Sequence, residues 1–239
     1  MRAQKAPHEA VPFFSEHNLL KMEVFLFMSY ILSIFSDFAE IKPVTLSVIL
    51  AILLAAFLLY LMRKSVKFDT KMLVYGALSI AIAFVLSYIR FYHWPQGGSI
   101  TPASMLPLFV FAYYYGPGPG IVVGMAYGFL QLIQDPFIVQ WVQVLLDYPL
   151  AFGALGLAGF FRKNLSLGIL VGGFGRFFSH FLSGIFFFAS YAPKGMNPIV
   201  YSLLVNGSII GTEVLICFVV SLIPQVRNAI EEVKKRALA

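Results

Sequence analysis

Charge is scarce in this 239-residue chain: 12% of its residues are Asp, Glu, Lys or Arg, and 59% are hydrophobic. A soluble domain carries about 25% charged and about 45–50% apolar residues. Too few ionic groups exist here to cover a water-facing surface. The stretch from Ser99 to Gln134 contains no charged residue at all. Cysteine is nearly absent as well. Cys217 stands alone inside an apolar run, which excludes an intramolecular disulfide and reads as a small buried hydrophobe. No second Cys or His falls at metal-ligand spacing, so no metal site is expected. No GxxxxGK[ST] phosphate loop occurs, so the chain has no ATPase of that type. No nucleophile–base constellation stands out, and no enzymatic activity is expected. Residues 1–18 lack an apolar run beside a small-residue cleavage site, so no signal peptide is expected.

What the chain does have is long apolar runs. About 18 or more such residues span a bilayer as a helix. Continuous rather than alternating runs favour helices over a barrel. Eight runs are legible: Leu19–Phe38, Val44–Met62, Met72–Tyr92, Ser104–Tyr115, Gly120–Gln134, Phe137–Phe161, Leu165–Tyr191 and Ile199–Pro224. The first carries Lys21, Glu23 and Asp37 near its ends and is equally readable as an interfacial helix. The expected fold is an all-α polytopic membrane bundle. The net charge of +6 then reports basic loops rather than a nucleic-acid partner. Arg63, Lys64, Lys67 and Lys71, then Arg162 and Lys163, then Arg227, Lys234, Lys235 and Arg236 all fall on one side of an eight-span chain. Arg2 and Lys5 join them, so that side, with both termini, is expected in the cytoplasm of a cell-membrane protein.

The basic linker 63–71 is the clearest internal boundary. It separates an N-terminal part, 1–71, with two apolar runs, from a membrane domain, 72–239, ending in a short basic tail. Mid-span polar residues gather in the second part: Gln131, Gln134, Gln143, Asp147, Arg176, His180, Asn206 and Glu213. A charge at membrane depth costs about 2.5–3.5 kcal/mol on insertion scales, which marks such a residue as functional by default. Asp147 shares a helical face with Gln143, and Pro149 can kink the helix beside it. Its carboxylate either faces a cationic ligand or staples two helices through Arg176. Arg176 and His180 share another face, continued by Gly184 and Phe188. Arg176 reads as structural, paired with Asp147 or with helix carbonyls. His180 is either a ligand contact or a satisfied core residue. Asn206 either reads a ring edge or bonds a neighbouring helix. Glu213 has no assigned partner; Arg176 and a partner subunit are alternatives.

Aromatic residues make up 16% of the chain. Tyr88, Tyr92 and Tyr113 to Tyr115 read as an interfacial belt. Trp94, Tyr127, Trp141 and Tyr148 offer the alternative of an aromatic cage for a cation. The run His93-Trp94-Pro95-Gln96-Gly97-Gly98-Ser99 is rich in turn formers and reads as a lid or a plain hairpin loop. Small residues line several helices, at Ala77 and Ala81, Ser79 and Ala83, Gly124 and Gly128, and Gly153 and Gly156, and small-xxx-small faces allow close helix contact.

Taken together, Pro95-Gln96-Gly97-Gly98-Ser99, Leu145-Leu146-Asp147-Tyr148, His180-x-x-Ser183-Gly184, Tyr191-Ala192-Pro193-Lys194-Gly195 and Tyr201-Ser202-Leu203-x-x-Asn206 resemble the ThiT family. These are thiamine-specific substrate-binding components of energy-coupling-factor transporters. The likeness covers about Met72 to Pro224. It implies a six-helix core, here preceded by about two extra helices, with the vitamin bound near the outer face. It implies Asp147, Tyr148, His180, Tyr201 and Asn206 in the pocket, Trp94 on a lid loop, and contacts from Tyr127, Gly184 and Phe188. Tyr127 and Phe188 stand where relatives carry tryptophan, and an Asp stands where some carry Glu. The resemblance further implies a transmembrane coupling protein and two cytoplasmic ATPases as partners, with the helix of Ala77 and Ala81 as the docking face. No cofactor is implied; thiamine is cargo. A stand-alone proton-coupled transporter, relaying through Asp147, His180 and Glu213, is the alternative.

Overall fold

A computed structural model describes residues 68–94 and 98–239, with isolated positions 26, 29, 45, 49, 52, 53, 56 and 60. The chain forms two compact units, Met1–Lys42 and Pro43–Ala239, and residues 68–239 belong to the second. Apart from those isolated positions, the two N-terminal apolar runs lie outside the described residues.

Among the described residues seven helical rods succeed one another. They are α1 (Thr70–Ser87), α2 (Leu106–Tyr115), α3 (Pro117–Gln134), α4 (Trp141–Phe161), α5 (Leu165–Phe187), α6 (Pro198–Leu222) and α7 (Pro224–Leu238). Rods α1, α4, α5 and α6 are long and apolar enough to cross a bilayer; the protein is an all-α, multi-pass membrane bundle. Local chemistry sets the ends. Asp69 caps α1 through Met72 N–H (2.7 Å), Asn164 caps α5 through Leu167 N–H (3.1 Å), and Asn197 caps α6 through Ile199 N–H (2.8 Å). Each side chain satisfies a backbone donor that the first turn leaves orphaned. Gly116 joins α2 to α3 at φ 93°, a left-handed backbone open to glycine at no steric cost.

Three boundaries differ from the sequence reading. The third apolar run does not stay helical to Tyr92. Helix α1 ends at Ser87, and Tyr92–His93 (β1) pairs antiparallel with Ser99–Ile100 (β2). The two strands pair as the arms of a hairpin; residues 95–97 lie outside the described residues. Helix α4 starts at Trp141, capped by Gln140 Oε1 (2.7 Å to Val142 N–H), not at Phe137. The basic C-terminal tail is α7, a 15-residue amphipathic helix.

Helices α3 and α4 cross with almost no space between their backbones. A Cβ on Gly124 would strike the Phe152 carbonyl, and one on Gly128 would sit 2.6 Å from the Tyr148 carbonyl oxygen. Glycine removes that obstacle, as close helix contacts in membranes require. Helix α4 itself is irregular. Pro149 has no N–H to give, and the turn Leu146–Leu150 widens to π geometry, with Ala151 N–H reaching the Leu146 carbonyl. Such single wide turns are common at functional sites. Ser179 of α5 donates to the same Leu146 carbonyl at 2.6 Å.

The two ends of the bundle differ in chemistry. At one end α7 lies against the start of α1 and the end of α2. Tyr114 Oη donates to the Ile230 carbonyl (2.7 Å), Tyr115 Oη to that of Ala237 (3.2 Å), and Tyr113 Oη to Glu231 (2.8 Å). Lys71 and Lys234 donate to the carbonyls of Arg236 and Arg162. Tyr113 and Tyr114 are therefore buried anchors for α7, not members of an interfacial belt. Lys71, Arg162, Lys163, Arg227, Lys234, Lys235 and Arg236 lie towards this end, whereas Arg90, Arg176 and Lys194 do not. The other end holds the polar mid-span groups.

Candidate ligand-binding site

A cavity of about 150 Å³ opens at the end away from α7. Its wall comes from the C-terminal ends of α1, α3 and α5, the N-terminal halves of α4 and α6, and the hairpin. All nine residues singled out from the sequence line it: Trp94, Tyr127, Asp147, Tyr148, His180, Gly184, Phe188, Tyr201 and Asn206. Trp141 does not; it is 61% exposed on the outside of α4, so the proposed cage loses that member.

Asp147 sits in the wide turn of α4, held from one side. Its Oδ2 accepts from Gln143 Nε2 at 2.7 Å and from Ser183 Oγ at 2.9 Å. Gln143 is buried and is itself locked, accepting from Val139 N–H and donating to the Phe137 carbonyl, both at 3.0 Å. The i, i+4 spacing of Gln143 and Asp147 foretold their pairing; the Ser183 contact crosses between helices and has no such signal. Oδ1 lies 3.0 Å from His180 Nδ1. That approach lacks hydrogen-bond alignment and leaves Asp147 Oδ1 without a hydrogen-bond partner among the described residues; the other ring nitrogen, His180 Nε2, is likewise buried and without one. A buried polar atom left this way is costly unless a ligand or water completes it.

The alternative of an Asp147–Arg176 staple is overturned. Arg176 Nη1 pairs with Glu213 Oε2 at 2.7 Å, with both side chains buried, and its guanidinium lies 4.5 Å from the centre of the Phe152 ring. Glu213 Oε1 accepts from Thr101 Oγ1 at 2.6 Å and from Thr101 N–H at 3.2 Å. The other arginine of the wall, Arg90, pairs with Asp135 at 3.0 Å. The wall thus holds three carboxylates (Asp135, Asp147, Glu213) and two guanidiniums (Arg90, Arg176). Both guanidiniums are taken, and among the described residues the one negative charge left over is Asp147.

The remaining residues divide between ligand faces and scaffold. Tyr148 Oη accepts from Phe137 N–H (2.8 Å) and donates to the Asp135 carbonyl (2.9 Å), so the phenol fixes the α3–α4 loop and its ring faces the cavity wall. That loop carries Phe137, which stacks on Phe188 with centroids 5.7 Å apart at 24°. Trp94 packs edge-on against Tyr92 at 4.5 Å. Tyr127 is almost fully buried, donates to the Ala83 carbonyl (3.3 Å) and packs edge-on against Phe152 at 5.0 Å. Asn206 Nδ2 reaches the His180 carbonyl and Ser202 Oγ, both at 3.2 Å; the interhelical bond that the sequence left open is present. Gly184 lets α6 approach α5, because a Cβ there would meet Ser202 Oγ and lie 2.9 Å from Asn206 Nδ2.

Known proteins resemble this chain in sequence and in fold. The family model described as thiamine transporter protein matches residues 73–231. The thiamine transporter ThiT of Bacillus subtilis is 31% identical over 163 residues, covering 60% of this chain and 84% of that protein. The thiamine transporter ThiT of Lacticaseibacillus paracasei is 32% identical over 155 residues, covering 55% and 75%. Among solved structures, ThiT from Listeria monocytogenes shares the fold with a TM-score of 0.60 at 24% identity, over 66% of this chain and 96% of that one. With a matched span that runs from α1 into α7 and takes in the whole cavity wall, the chain belongs to the thiamine transporter protein family.

Proposed function

We propose that this chain binds thiamine in the cavity and passes it inward as the substrate-binding subunit of an energy-coupling-factor transporter. Its family is one of transporters and not of enzymes. The observation that carries the reading is the unspent charge of Asp147, beside His180 and among aromatic rings. Thiamine is a flat cation: a thiazolium joined to an aminopyrimidine. A buried carboxylate can pair with the positive ring or accept from the amino group. His180 Nε2 can bond a ring nitrogen or amino group. The aromatic faces of Phe188, Tyr148 and Trp94 suit a planar cation. The positive-inside tendency puts the α7 end in the cytoplasm, so the cavity faces outward.

Delivery needs energy from elsewhere. No phosphate-loop motif exists in the chain, which suits a division of labour with two cytoplasmic ATPases and a membrane coupling protein. Ala77 and Ala81 lie exposed on α1 with Leu73, Val74, Leu78 and Ile82. That small-residue stripe is a fitting surface for the coupling helix. The stand-alone proton-coupled reading draws on the Asp147–His180 contact, but Glu213, its third relay group, is held by Arg176 and Thr101. Two measurements test the proposal. Mass spectrometry of the purified protein should find thiamine co-purifying; an empty protein with no measurable thiamine affinity overturns the ligand. Uptake into membranes without any coupling ATPase should be nil; a pH-driven flux there overturns the subunit role.

A further inference from the structure

The Arg176–Glu213 pair has no part in the ligand contacts of Asp147 and His180. It lies in the wall of the cavity rather than beneath it. Arg176 and Glu213 are 8% and 3% exposed, and Arg176 Nε has no hydrogen-bond partner among the described residues. A guanidinium cannot shed its proton. If left uncompensated here, it would place a fixed positive charge in the same cavity as the ligand. We propose that Glu213 is a positioning residue for ligand charge: by holding and neutralising Arg176, it keeps the cavity receptive to a cation. The inference rests on the thiamine reading.

The geometry around Glu213 supports a dedicated role. One carboxylate oxygen faces Arg176 and the other accepts twice from Thr101. Thr101 directly follows strand β2, whose Ser99 also lines the cavity. Met105 Sδ, 2.6 Å from Arg176 Nη1, and the Phe152 ring complete the arginine's seat. A buried ion pair is often replaceable by well-packed neutral groups of similar volume at little cost to stability. The pair is therefore better explained by what each member does to charge in the cavity. Arg176 meets the Phe152 ring of α4 and the Glu213 carboxylate of α6, and Glu213 cancels its charge.

The test compares two probes: thiamine, and the uncharged 4-amino-5-hydroxymethyl-2-methylpyrimidine, which lacks the thiazolium. The readout is the ratio of their affinities in detergent-purified full-length protein. Glu213→Gln keeps an acceptor for Thr101 and removes the charge. It should lower the thiamine preference by about tenfold or more, the scale of one uncompensated charge several ångströms from a cation. The double variant Arg176→Gln/Glu213→Gln should restore the preference to within about threefold of wild type. Should Glu213→Gln fail to fold, Arg176→Gln carries the test alone, and the preference should rise by about threefold or more. An unchanged preference in Glu213→Gln, a double variant as poor as the single one, or no rise in Arg176→Gln overturns the proposal. A merely structural role would weaken both probes alike. Wild-type protein that binds neither probe would instead overturn the thiamine reading on which it stands.

Discussion

Oδ1 of Asp147 lies 3.0 Å from Nδ1 of His180, across the contact between α4 and α5, yet the two are not aligned to share a proton. The other carboxylate oxygen is fully engaged by Gln143 and Ser183. Asp147 is thus oriented by the protein and left incomplete on its cavity side. Asp147→Asn keeps the shape, removes the charge and should weaken thiamine binding by about 2–4 kcal/mol, on the order of 30- to 1,000-fold in Kd. Isothermal titration of the purified variant measures this directly. A Kd equal to wild type would remove Asp147 from the site.

Much of this arrangement is legible in the sequence, and the reason is physical. Apolar runs report spans directly, because lipid tolerates little else. Mid-span polar residues are so costly that each one names a site, and nine residues picked partly on that ground and partly on family likeness share one cavity. Pairings across helices are not legible in the same way. Gln143 and Asp147 are i, i+4 neighbours and betray themselves; Arg176 and Glu213 are joined only by the α5–α6 packing. Helix α7 escapes the sequence reading for a different reason. Its Lys, Arg and Glu content suggests a solvated tail, although Val226, Ile230, Val233 and Ala237 carry the 3.6-residue spacing of an amphipathic helix. The hairpin strands, at two residues each, are too short for alternation to register.

Gly124 and Gly128 of α3, which face the backbone of α4, should not tolerate enlargement. At Gly128 a methyl group would sit 2.6 Å from the Tyr148 carbonyl oxygen and 3.1 Å from Pro149 Cα. Backbone cannot yield as a side chain does, so α4 must move and carry Asp147 with it. Gly128→Ala should cost about 1–3 kcal/mol, seen as a lower melting temperature, and should weaken thiamine binding. Gly184→Ala meets a hydroxyl and an amide instead. It should destabilise less while still displacing Asn206. Equal melting temperatures for Gly128→Ala and wild type would contradict the close α3–α4 crossing.

Stability at the α7 end should be separable from ligand binding. Tyr114 Oη donates at 2.7 Å to the Ile230 carbonyl in a buried position. Tyr114→Phe removes the donor and strands the acceptor, a loss of about 1 kcal/mol. The cavity draws on the opposite ends of the same helices, so thiamine affinity should be unchanged. Thermal unfolding and titration on one preparation check both halves. A drop in affinity would mean that the two ends are coupled.

Helix α1 has two faces that do different work. One face packs Gly76, Ala83 and Ser87 into the bundle; the other leaves Ala77 and Ala81 exposed. On a face turned to lipid alone, side-chain size has little consequence, since lipid chains adapt to any apolar shape. On a face that meets another helix, small residues set the distance of approach. Ala77→Trp and Ala81→Trp should therefore leave thiamine binding by the purified protein unchanged. In cells that supply the coupling protein and ATPases, the same variants should cut thiamine uptake to near background. Radiolabelled uptake in whole cells, set against titration of the same variants in detergent, makes the comparison. Uptake that survives both substitutions would favour a transporter working alone, because such a protein has no use for a docking stripe on α1.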